Sequence, residues 1–484
     1  MNNPDQIEPV DVSRALVPIA VPTEGLIAKY AVSGPRYTSY PTAVEFTNSF
    51  TKADWLSCLA EEFAAGSSAG GVSLYVHLPF CKSLCYFCAC NKVITKDRSV
   101  TGPYLAALDR EFELYQRNFE SAGVSQVPAA GQFHWGGGTP NFLTPEEMKL
   151  VFRSAVDRFN LASDADVSIE VDPRTTTNDQ VEVLAELGFN RISLGVQDFD
   201  PAVQEAINRV QSVECTEQVV EWARSAGFGS VNIDLIYGLP LQHPANFRRT
   251  IDQVMAIRPE RIALYGYAHV TWLTKVQRTL EREHLPSPQE RIGLFLDAVD
   301  QLTAAGYVHI GMDHFALPGD GLSLALASGS LNRNFMGYST IRGSRLLGFG
   351  ASSISSLGNS FAQNTKDITE YQNKMAAGEF AVERGLARSY DDQLRGDLIE
   401  LLMCQGRISI NDFENKWRID FFKYFAASAT ELEVLMADGL VAFDRQTITV
   451  TPLGRFFQRN IAMIFDAYLT QHRSGPKKVF SQAL

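Results

Sequence analysis

The chain has 484 residues, of which 45% are hydrophobic and 20% charged, values that are ordinary for a globular protein. Its length is enough for two or more domains. The formal net charge of −12 disfavours non-specific binding to nucleic acid or to anionic membranes. The sequence has no run of about eighteen apolar residues, so no membrane span is predicted.

The compartment is predicted from the N-terminal segment and the cysteines. The first residues have neither the basic start nor the apolar run of a secretory signal. The seven cysteines are clustered rather than spread as a disulfide framework, which suits a reducing environment. We therefore expect a cytoplasmic protein.

An N-terminal arm is predicted at residues 1–45, and it is a candidate lid over a ligand. From about residue 72 onward, short apolar stretches alternate with longer amphipathic ones, which predicts six strand-then-helix units. The predicted strands lie at 73–78, 131–135, 166–172, 191–197, 230–239 and 261–270. The predicted helices lie at 101–119, 144–159, 177–188, 201–227, 244–257 and 287–306. Thr144 and Glu147 predict a capping box, and the fourth helix is interrupted near Ser212.

Alternating strands and helices predict a parallel sheet with right-handed crossovers. Residues with unusual chemistry fall at the carboxyl ends of five successive strands: a cysteine run, the segment GGGTP, Glu170 to Asp172, Gln197 and Asp234. A barrel gathers all of its carboxyl strand ends around one mouth, whereas an open sheet gathers only those beside its switch point. We therefore predict an α/β fold with a partial (βα)6 barrel, the catalytic domain, at residues 46–365.

Residues 366–484 show a different pattern, in which helical segments precede a predicted hairpin with Asp444 and Arg445 near its turn. This order predicts a mostly helical, winged-helix-like C-terminal domain. Winged helices can bind DNA, but this one has no basic helix. We therefore expect no nucleic-acid partner and interpret the domain as a cover for the barrel.

Four cysteines, Cys81, Cys85, Cys88 and Cys90, lie within ten residues in the spacing C-x3-C-x2-C-x-C. Zinc knuckles usually supply two separated pairs, and ferredoxin-type runs have other spacings. Three thiolates at this spacing can hold three corners of a 4Fe–4S cluster and leave the fourth iron open. Alternatively, Cys90 supplies a fourth ligand and closes the cluster as an electron-transfer centre.

The run C-x3-C-x2-C, with the aromatic Phe87 before its last cysteine, resembles the radical S-adenosylmethionine (SAM) enzymes. From about Ala28 to the C-terminus, the chain resembles more closely one family of these enzymes, the oxygen-independent coproporphyrinogen III oxidases. The matching segments are SGPRYTSYPTA, YVHLPFCKSLCYFCACNK, HWGGGTP, SIEVDP, GVQDF, NIDLIYGLP, YAHV, GMDHFA and NFMGY.

This resemblance implies one 4Fe–4S cluster held by Cys81, Cys85 and Cys88, with its open iron chelated by SAM. It implies two SAM molecules and makes Cys90 a non-ligating residue. The implied catalytic residues are Tyr75, His77, Cys90, Glu170 and Phe335. The implied cofactor contacts are Tyr75, Phe87, Gly137, Gly138, Thr139, Glu170, Gln197, Arg209, Asp234, Ala268 and Ile354. Without the resemblance, Glu170 reads as a helix cap and Arg209 as a solvated helix residue.

The implied reaction is the anaerobic oxidative decarboxylation of two propionates of coproporphyrinogen III to vinyls, which gives protoporphyrinogen IX in haem biosynthesis. The expected partners are the porphyrinogen substrate and an electron donor such as flavodoxin or ferredoxin, and we expect a monomer. Arg36 and Arg333 are candidates for binding the propionates, because carboxylates require cationic partners.

The chain departs from the family pattern at two positions. Asn332 stands where the family has histidine, and Met336 stands where it has glutamine after the matching Phe335. A thioether cannot make the hydrogen bonds of an amide, so that contact is changed here.

Three other functions are open. One is a haem chaperone, although such relatives typically lack the cysteine that matches Cys90. Another is a different radical SAM enzyme of tetrapyrroles, such as one that methylates or opens the ring. The third is a zinc-binding adaptor built on the same cysteines.

Overall fold

The computed structural model describes residues 20–64, 71–124, 127–341 and 345–469, together with His472 and Phe480. Much of the predicted arm, residues 1–19, therefore lies outside the described residues. The strands, in chain order, are β1 (Val72–Leu78), β2 (Phe80–Cys81), β3 (Val93–Ile94), β4 (Ala130–Gly137), β5 (Leu161–Val171), β6 (Arg191–Gln197), β7 (Ser230–Tyr237), β8 (Arg261–Gly266), β9 (Val308–Gly311), β10 (His314–Ala316), β11 (Asn332–Asn334), β12 (Gly337–Ser339), β13 (Arg345–Phe349), β14 (Ile354–Ser356), β15 (Ser360–Asn364), β16 (Val382–Ala387), β17 (Arg407–Ser409), β18 (Val441–Phe443) and β19 (Thr447–Val450).

The helices connect these strands and make up most of the C-terminal region. In chain order they are α1 (Glu24–Tyr30), α2 (Lys52–Ala64), α3 (Thr101–Ser121), α4 (Pro145–Val156), α5 (Asn178–Glu186), α6 (Pro201–Ala206), α7 (Val213–Ser225), α8 (Pro244–Ile257), α9 (Pro288–Ala304), α10 (Gly321–Ser328), α11 (Ile368–Ala376), α12 (Tyr390–Gln405), α13 (Ile410–Trp417), α14 (Phe421–Tyr424), α15 (Ala429–Ala437) and α16 (Gln458–Met463). No helix of the described ranges is long and apolar enough to cross a membrane.

Twelve strands form one sheet in the order β16-β15-β14-β13-β1-β4-β5-β6-β7-β8-β10-β9. The strands from β13 through β1 to β8 run parallel to their neighbours, and the strands at both ends of the sheet are antiparallel. The six predicted strands are β1, β4, β5, β6, β7 and β8, so the predicted order of units is confirmed.

The two faces of the parallel strands differ in polarity. The face towards the helices is apolar and fully buried, as at Leu74, Trp135 and Ile169. Residues of the opposite face bond one another across the strands: Ser73, Gln132, His134, Ser168, Ser193, Asn232 and Asp234. A doubly wound sheet has helices on both faces and apolar residues on both. A polar face therefore indicates a sheet that curves around a cavity, the partial barrel that the sequence predicted. Its end strands, β16 and β9, do not pair with each other in the described chain, so the barrel is open.

The helix starts follow local sequence signals. Thr144 and Glu147 form the predicted capping box at the start of α4. The predicted helix at 201–227 is two helices, α6 and α7, because Ser212 caps the second with its side chain.

The C-terminal domain is helical, with a small sheet in the order β17-β19-β18. The predicted hairpin is β18–β19, and its turn is held by Asp444, whose carboxylate accepts from the backbone N–H groups of Gln446 and Thr447. The large sheet continues through β16 to Ala387, past residue 365, where the sequence placed the end of the barrel.

The N-terminal segment packs on the C-terminal domain. Its Tyr37 donates to Asp466 at 2.9 Å, and the hydroxyl of Tyr40 accepts from the backbone N–H of Ala467 at 2.9 Å. Both tyrosine rings are buried in the hydrophobic core of that domain. The arm and the C-terminal domain therefore share one core.

Glu111 on α3 is fully buried and binds the loop after β13. Its carboxylate accepts from the backbone N–H of Gly350 at 2.7 Å, from the Asn364 amide at 2.6 Å and from the Tyr371 hydroxyl at 2.8 Å. Burial raises the pKa of Glu111 to about 7, although these three donors act to lower it. This carboxylate connects α3 to the loop after β13, to β15 and to α11, all of which follow it by more than two hundred residues.

We expect the Glu111→Ala variant to lose at least about 3 kcal/mol of unfolding free energy, because three buried donors would lose their acceptor. The matched control is Glu113→Ala on the same helix, whose side chain is 41% exposed and should change stability by less than about 0.5 kcal/mol. Thermal unfolding of both variants measures the difference, and equal midpoints would contradict the role given to Glu111.

Candidate metal centre and active site

The four clustered cysteines follow the carboxyl end of β1: Cys81 ends β2, and the other three lie in the loop between β2 and β3. The backbone N–H of Val93 donates to the carbonyl of Pro79 at 2.8 Å, and that of Thr95 donates to the carbonyl of Cys81 at 2.9 Å. These bonds close the base of the loop. Cys81 and Cys85 are buried, Cys88 is half-buried and Cys90 is exposed.

The sulfur atoms of two cysteines have hydrogen-bond donors. The Thr139 hydroxyl donates to Cys81 Sγ at 3.3 Å, and Arg209 Nη1 donates to Cys85 Sγ at 3.4 Å. Burial raises the pKa of the Cys81 thiol to about 11. The hydrogen bond between Cys88 and Cys90 lowers the pKa of Cys88 to about 6. A bound metal deprotonates its thiol ligands, and donors to sulfur stabilise the resulting thiolates.

Asp172 positions the arginines beside Cys85. Its carboxylate accepts from Arg174 at 2.7 Å and from Arg209 at 3.3 Å, and Arg174 Nη2 also lies 3.8 Å from Cys85 Sγ. Burial acts to raise the pKa of Asp172, but the charge of Arg209 and the bonds from Arg174 hold it below its usual value. An ionised carboxylate thus orients two cations towards one cysteine.

Three glycines at the end of β4 let the neighbouring groups approach. A Cβ at Gly136 would lie 3.1 Å from Glu170 Oε2, and one at Gly137 would lie 2.8 Å from the His77 ring. A Cβ at Gly138 would lie 2.5 Å from the carbonyl oxygen of Pro79 and 3.0 Å from Cys81 Sγ. The sequence predicted that these glycines let the backbone approach a ligand closely. The structure shows that close contacts within the chain already require glycine at these positions.

Tyr75 and His77 form a chain of hydrogen bonds on β1. His77 Nε2 lies 2.9 Å from the carbonyl oxygen of Asn91, and its Nδ1 lies 3.2 Å from the Tyr75 hydroxyl. A carbonyl only accepts, so Nε2 carries the hydrogen and Nδ1 accepts from Tyr75. Burial lowers the pKa of His77, which keeps the ring neutral.

Two carboxylates inside the barrel have opposite pKa shifts. Glu170 accepts from the backbone N–H of Gly137 at 3.3 Å and lies 3.4 Å from His134 Nε2. Burial acts to raise the pKa of Glu170, but these partners hold it below the usual value. Burial, with the negative charge of Glu170, raises the pKa of Asp234 to about 7, although Asn232 donates to it at 2.7 Å.

Phe87 lies next to Ala268, although 180 residues separate them. The Gln277 amide donates to the carbonyl of Phe87 at 2.8 Å and to that of Ala268 at 3.1 Å. Gln197 ends β6 with a φ of 72°, and Gly195 leaves space for its side chain and for Arg209. The structure therefore brings residues from β6 and from the segment after β8 to the mouth that holds the cysteines.

The remaining predicted residues belong to the segment from β11 to β14. Phe335 is in the turn between β11 and β12. The centroid of its ring lies 6.5 Å from that of Phe46 and 5.9 Å from that of Phe361, and both pairs pack edge to face. Ile354 begins β14, and its backbone packs on Gly348, where a Cβ would lie 2.6 Å from the Ile354 carbonyl oxygen. Met336 is in the same turn as Phe335, and its backbone N–H donates to the Asn334 side chain. Asn332 bonds the carbonyl of Ser330 at 2.9 Å.

The two candidate propionate arginines line different cavities. Arg36 lines a cavity of about 270 Å³ between the ends of β7 and β8 and the C-terminal domain. Arg333 lines a second cavity, of about 350 Å³, beside the β11–β12 turn. Both act on Asp313: burial acts to raise its pKa, but the hydrogen bond and charge of His314, and then the charges of the two arginines, hold it well below the usual range.

Sequence reasoning missed several residues that position the site. They include Arg174 and Lys92, which bond the cysteine loop, His134, which lies beside Glu170, and Asn91, whose carbonyl accepts from His77. Two signals were available: Arg174 closely follows the strand that carries Glu170, and Asn91 and Lys92 follow Cys90 directly. Proximity in the sequence does not say which groups bond each other, so the pairs themselves were not predictable.

The donor set at this loop fits an iron–sulfur cluster. Three thiols lie on one loop, and Cys81 and Cys85 have donors to sulfur of the kind that tune such clusters. Cys90 contacts Cys88 and is the most exposed of the four. Within the described ranges, no three His, Cys, Asp or Glu side chains surround a position for a single metal ion.

Comparison with known proteins gives one consistent family. Residues 75–254 match the radical SAM superfamily, and residues 389–457 match the HemN C-terminal domain. The chain is 45% identical to the oxygen-independent coproporphyrinogen III oxidase of Pseudomonas aeruginosa, over 92% of this chain and 95% of that one. It is 42% identical to the Synechocystis protein of the same name, over 95% of this chain and 97% of that one. The solved coproporphyrinogen III oxidase of Escherichia coli, described as a radical SAM enzyme, matches with a TM-score of 0.86 and 40% identity, over 93% of this chain and 99% of that one.

We expect Gly138→Ala to reduce the iron and acid-labile sulfide bound after anaerobic reconstitution, because its Cβ would displace Pro79 or Cys81. The control is Gly102→Ala, where a Cβ meets nothing within 4 Å. Iron and sulfide analysis per chain measures the effect. Full metal content in both variants would show that this backbone contact does not position the ligands.

The raised pKa of Asp234 predicts a pH-dependent stability. Its folded value of about 7 exceeds the unfolded value of about 3.9, so ionisation destabilises the fold as the pH rises through this interval. In the metal-free protein, we expect Asp234→Asn to gain about 2–3 kcal/mol relative to the wild type between pH 5 and pH 8. Thermal unfolding across this range measures it, with the exposed Asp252→Asn as control. A difference from the wild type that does not change with pH would contradict the shift.

Proposed function

The chain belongs to the family of oxygen-independent coproporphyrinogen III oxidases, and on that premise we propose that it converts coproporphyrinogen III to protoporphyrinogen IX. Two propionates become vinyls: each gives a hydrogen atom to a 5′-deoxyadenosyl radical, releases CO₂ and gives one electron to a separate one-electron acceptor. The observation that carries the proposal is the cysteine loop at the mouth of a polar-lined barrel, where Arg209 and Thr139 donate to two of its sulfur atoms.

Cys81, Cys85 and Cys88 would hold one 4Fe–4S cluster. When bound, a cluster with SAM on its open iron supplies the 5′-deoxyadenosyl radical that removes a hydrogen atom from the propionate. Cys90 would not be a ligand. It contacts Cys88 and is exposed at the mouth, and we assign it to the reaction with substrate.

Two SAM molecules would bind on the polar face of the barrel. For the first, the ionised carboxylate of Glu170 suits an ammonium group, and Gly137 already donates to that carboxylate. The remaining contacts proposed for this molecule are Tyr75, Gly138, Thr139 and Ile354. For the second molecule, the proposed contacts are Phe87, Gln197, Arg209, Asp234 and Ala268. Support comes from the hydrogen bonds that bring Phe87 and Ala268 together through Gln277.

The chain's own residues would control protons and water near the reacting carbon. His77 is neutral and its Nε2–H is already donated to Asn91, so Tyr75 and His77 form a pair with fixed orientation. The C-terminal domain and the arm would cover the mouth and exclude water, as radical chemistry requires. Arg459 supports this cover, because it donates to the backbone carbonyls of Gly34 and Pro35. Phe335, in the turn near Phe46, would contact substrate from this side.

Several further properties belong to the proposal. The enzyme would act in the cytoplasm as a monomer, with an electron donor such as flavodoxin or ferredoxin. Residues 1–45 would serve as the lid, residues 46–365 as the catalytic barrel and residues 366–484 as the cover, with the sheet of the barrel continuing to Ala387.

An anaerobic assay with reconstituted protein, SAM, a reductant and coproporphyrinogen III tests the proposal. We expect protoporphyrinogen IX, measured as the fluorescent porphyrin after oxidation. Binding of haem without any decarboxylation would instead indicate a chaperone, and one equivalent of zinc without iron or sulfide would indicate the adaptor.

Cys81→Ser and Cys90→Ser form a matched pair within this assay. We expect Cys81→Ser to lose both the cluster and the activity. Cys90→Ser should keep its iron and lose activity by about a hundredfold or more, as expected for a residue in direct contact with substrate. Loss of iron in Cys90→Ser would show that Cys90 is a ligand.

A further inference from the structure

The side-chain amide of Gln277 is fully engaged with backbone groups. Its Nε2 donates to the carbonyl of Phe87 at 2.8 Å and to that of Ala268 at 3.1 Å. Its Oε1 accepts from the backbone N–H of Val270 at 2.7 Å. The side chain is only 1% exposed, so loss of its donors would leave two carbonyls without these bonds in a buried place. This amide therefore fixes three backbone groups relative to one another.

The two carbonyls belong to segments that follow distant strands of the sheet. Phe87 is in the cysteine loop after β1, whereas Ala268 follows β8. Within the described ranges, no other hydrogen bond joins residues 81–94 to residues 266–282. The ring of Phe87 also packs against a hydrophobic cluster on that side, but apolar packing is not directional. The amide therefore sets how the two backbones approach each other.

The short helix that carries this glutamine, Lys275–Arg282, has further contacts with the segment after β8. Leu280 is fully buried in a small hydrophobic cluster that also contains Tyr267. Glu281 lies 3.1 Å from His269 Nε2. These contacts hold the helix on the β8 side without any contribution from the cysteine loop. The bridging amide thus projects towards the loop from a fixed support.

The proposed cluster ligands have anchors of their own. The Asn208 amide donates to the carbonyl of Leu84 at 2.7 Å, and Lys92 Nζ donates to the carbonyl of Cys88 at 2.8 Å. Neither contact involves the bridging glutamine. Loss of the bridging donors should therefore displace Phe87 and leave the ligands able to hold a cluster.

Few side chains could replace this amide, because it supplies two donors and one acceptor. Glutamate has no donor for the two carbonyls, and lysine and arginine have no acceptor for the N–H of Val270. Glutamate and methionine have side chains of similar length to glutamine, so they remove the donors with little change in volume. The site therefore offers two substitutions that separate hydrogen bonding from packing.

We propose that Gln277 is a positioning residue for the second SAM molecule. The inference rests on the proposed function, in which Phe87 and Ala268 contact that molecule. Because Gln277 holds both of their carbonyls, it sets the width of the pocket between them. Contacts proposed for the first SAM molecule, such as Glu170 and Gly137, form no hydrogen bond with Gln277 in the described chain. Gln277 should therefore act on one SAM molecule and not on the other.

The test measures SAM binding to the anaerobic, reconstituted full chain by equilibrium dialysis with labelled SAM and without substrate. We expect two molecules per cluster in the wild type. In Gln277→Glu and in Gln277→Met, the Kd of the second molecule should rise by about tenfold or more, and that of the first should not change. Iron and sulfide per chain should stay at the wild-type level. The change that SAM causes in the electron paramagnetic resonance spectrum of the reduced cluster reports the first molecule separately.

The control is Gln289→Glu, the same chemical change at an exposed position on α9, which should alter neither Kd. Unchanged Kd values in the Gln277 variants would show that the second pocket does not depend on this amide. Equal weakening of both SAM molecules, loss of iron, or failure of both variants to fold would assign Gln277 to the general stability of the mouth and overturn the proposal.

The wild type separates this inference from the proposed reaction. Wild-type enzyme that binds only one SAM molecule would contradict the role given to Gln277, whatever its product. Wild-type enzyme that binds two SAM molecules and makes no protoporphyrinogen IX would contradict the proposed reaction. In that case a selective loss of the second molecule in both variants would still support the role of Gln277.

Discussion

The close approach of two neighbouring strand ends is the constraint on which the active site depends. Where β1 and β4 finish side by side, a Cβ at Gly138 would lie 2.5 Å from the carbonyl oxygen of Pro79. This contact places Cys81 at the start of the loop and Thr139 within hydrogen-bond distance of its sulfur. Because Pro79 also accepts from Val93, the same backbone position closes the base of the cysteine loop. The three glycines therefore act first on the protein's own packing and through it on the ligands.

The polar face of the barrel extends this arrangement to the rest of the site. Its side chains form hydrogen bonds with one another across adjacent strands, and the surroundings of its two carboxyl groups decide which of them is ionised. Glu170 is held ionised by His134 and Gly137, whereas burial and the charge of Glu170 favour the protonated form of Asp234. Environments that push two carboxyl pKa values apart are typical of functional sites. The cavity between the ends of β7 and β8 and the C-terminal domain is lined by aromatic residues such as Tyr237 and Phe295, together with arginines.

Much of the fold was predictable from the sequence, because its signals are local. The six parallel strands, the capping box at Thr144 and the break at Ser212 all follow from patterns within a few residues. The strands β9 to β16, all antiparallel to a neighbour except for the parallel pairing of β13 with β1, were not predicted, since most are only three to five residues long and their pairing depends on tertiary contacts. The strand predicted at 261–270 ends earlier, at Gly266, where the chain turns towards Ala268. The packing of Tyr37 and Tyr40 on the C-terminal domain had no local signal either.

The candidate site shows the same division between local and distant information. Spacing alone identified the cysteine cluster, and the resemblance to a family supplied roles for residues such as Gln197 and Ile354. The partners of other site residues come from different segments: Asp172 bonds Arg209, 37 residues away, and Gln277 bonds Phe87, 190 residues away. Neither spacing nor periodicity contains that information, because the folding of the barrel decides which segments meet.

The central claim is that three cysteine thiolates hold a cluster whose fourth iron is open to SAM. Electron paramagnetic resonance of the reduced, reconstituted protein tests it most directly, with spectra recorded before and after SAM is added. We predict a 4Fe–4S signal whose g-values shift when SAM coordinates the open iron. A signal that SAM does not change would indicate a cluster with four protein ligands and would contradict the claim.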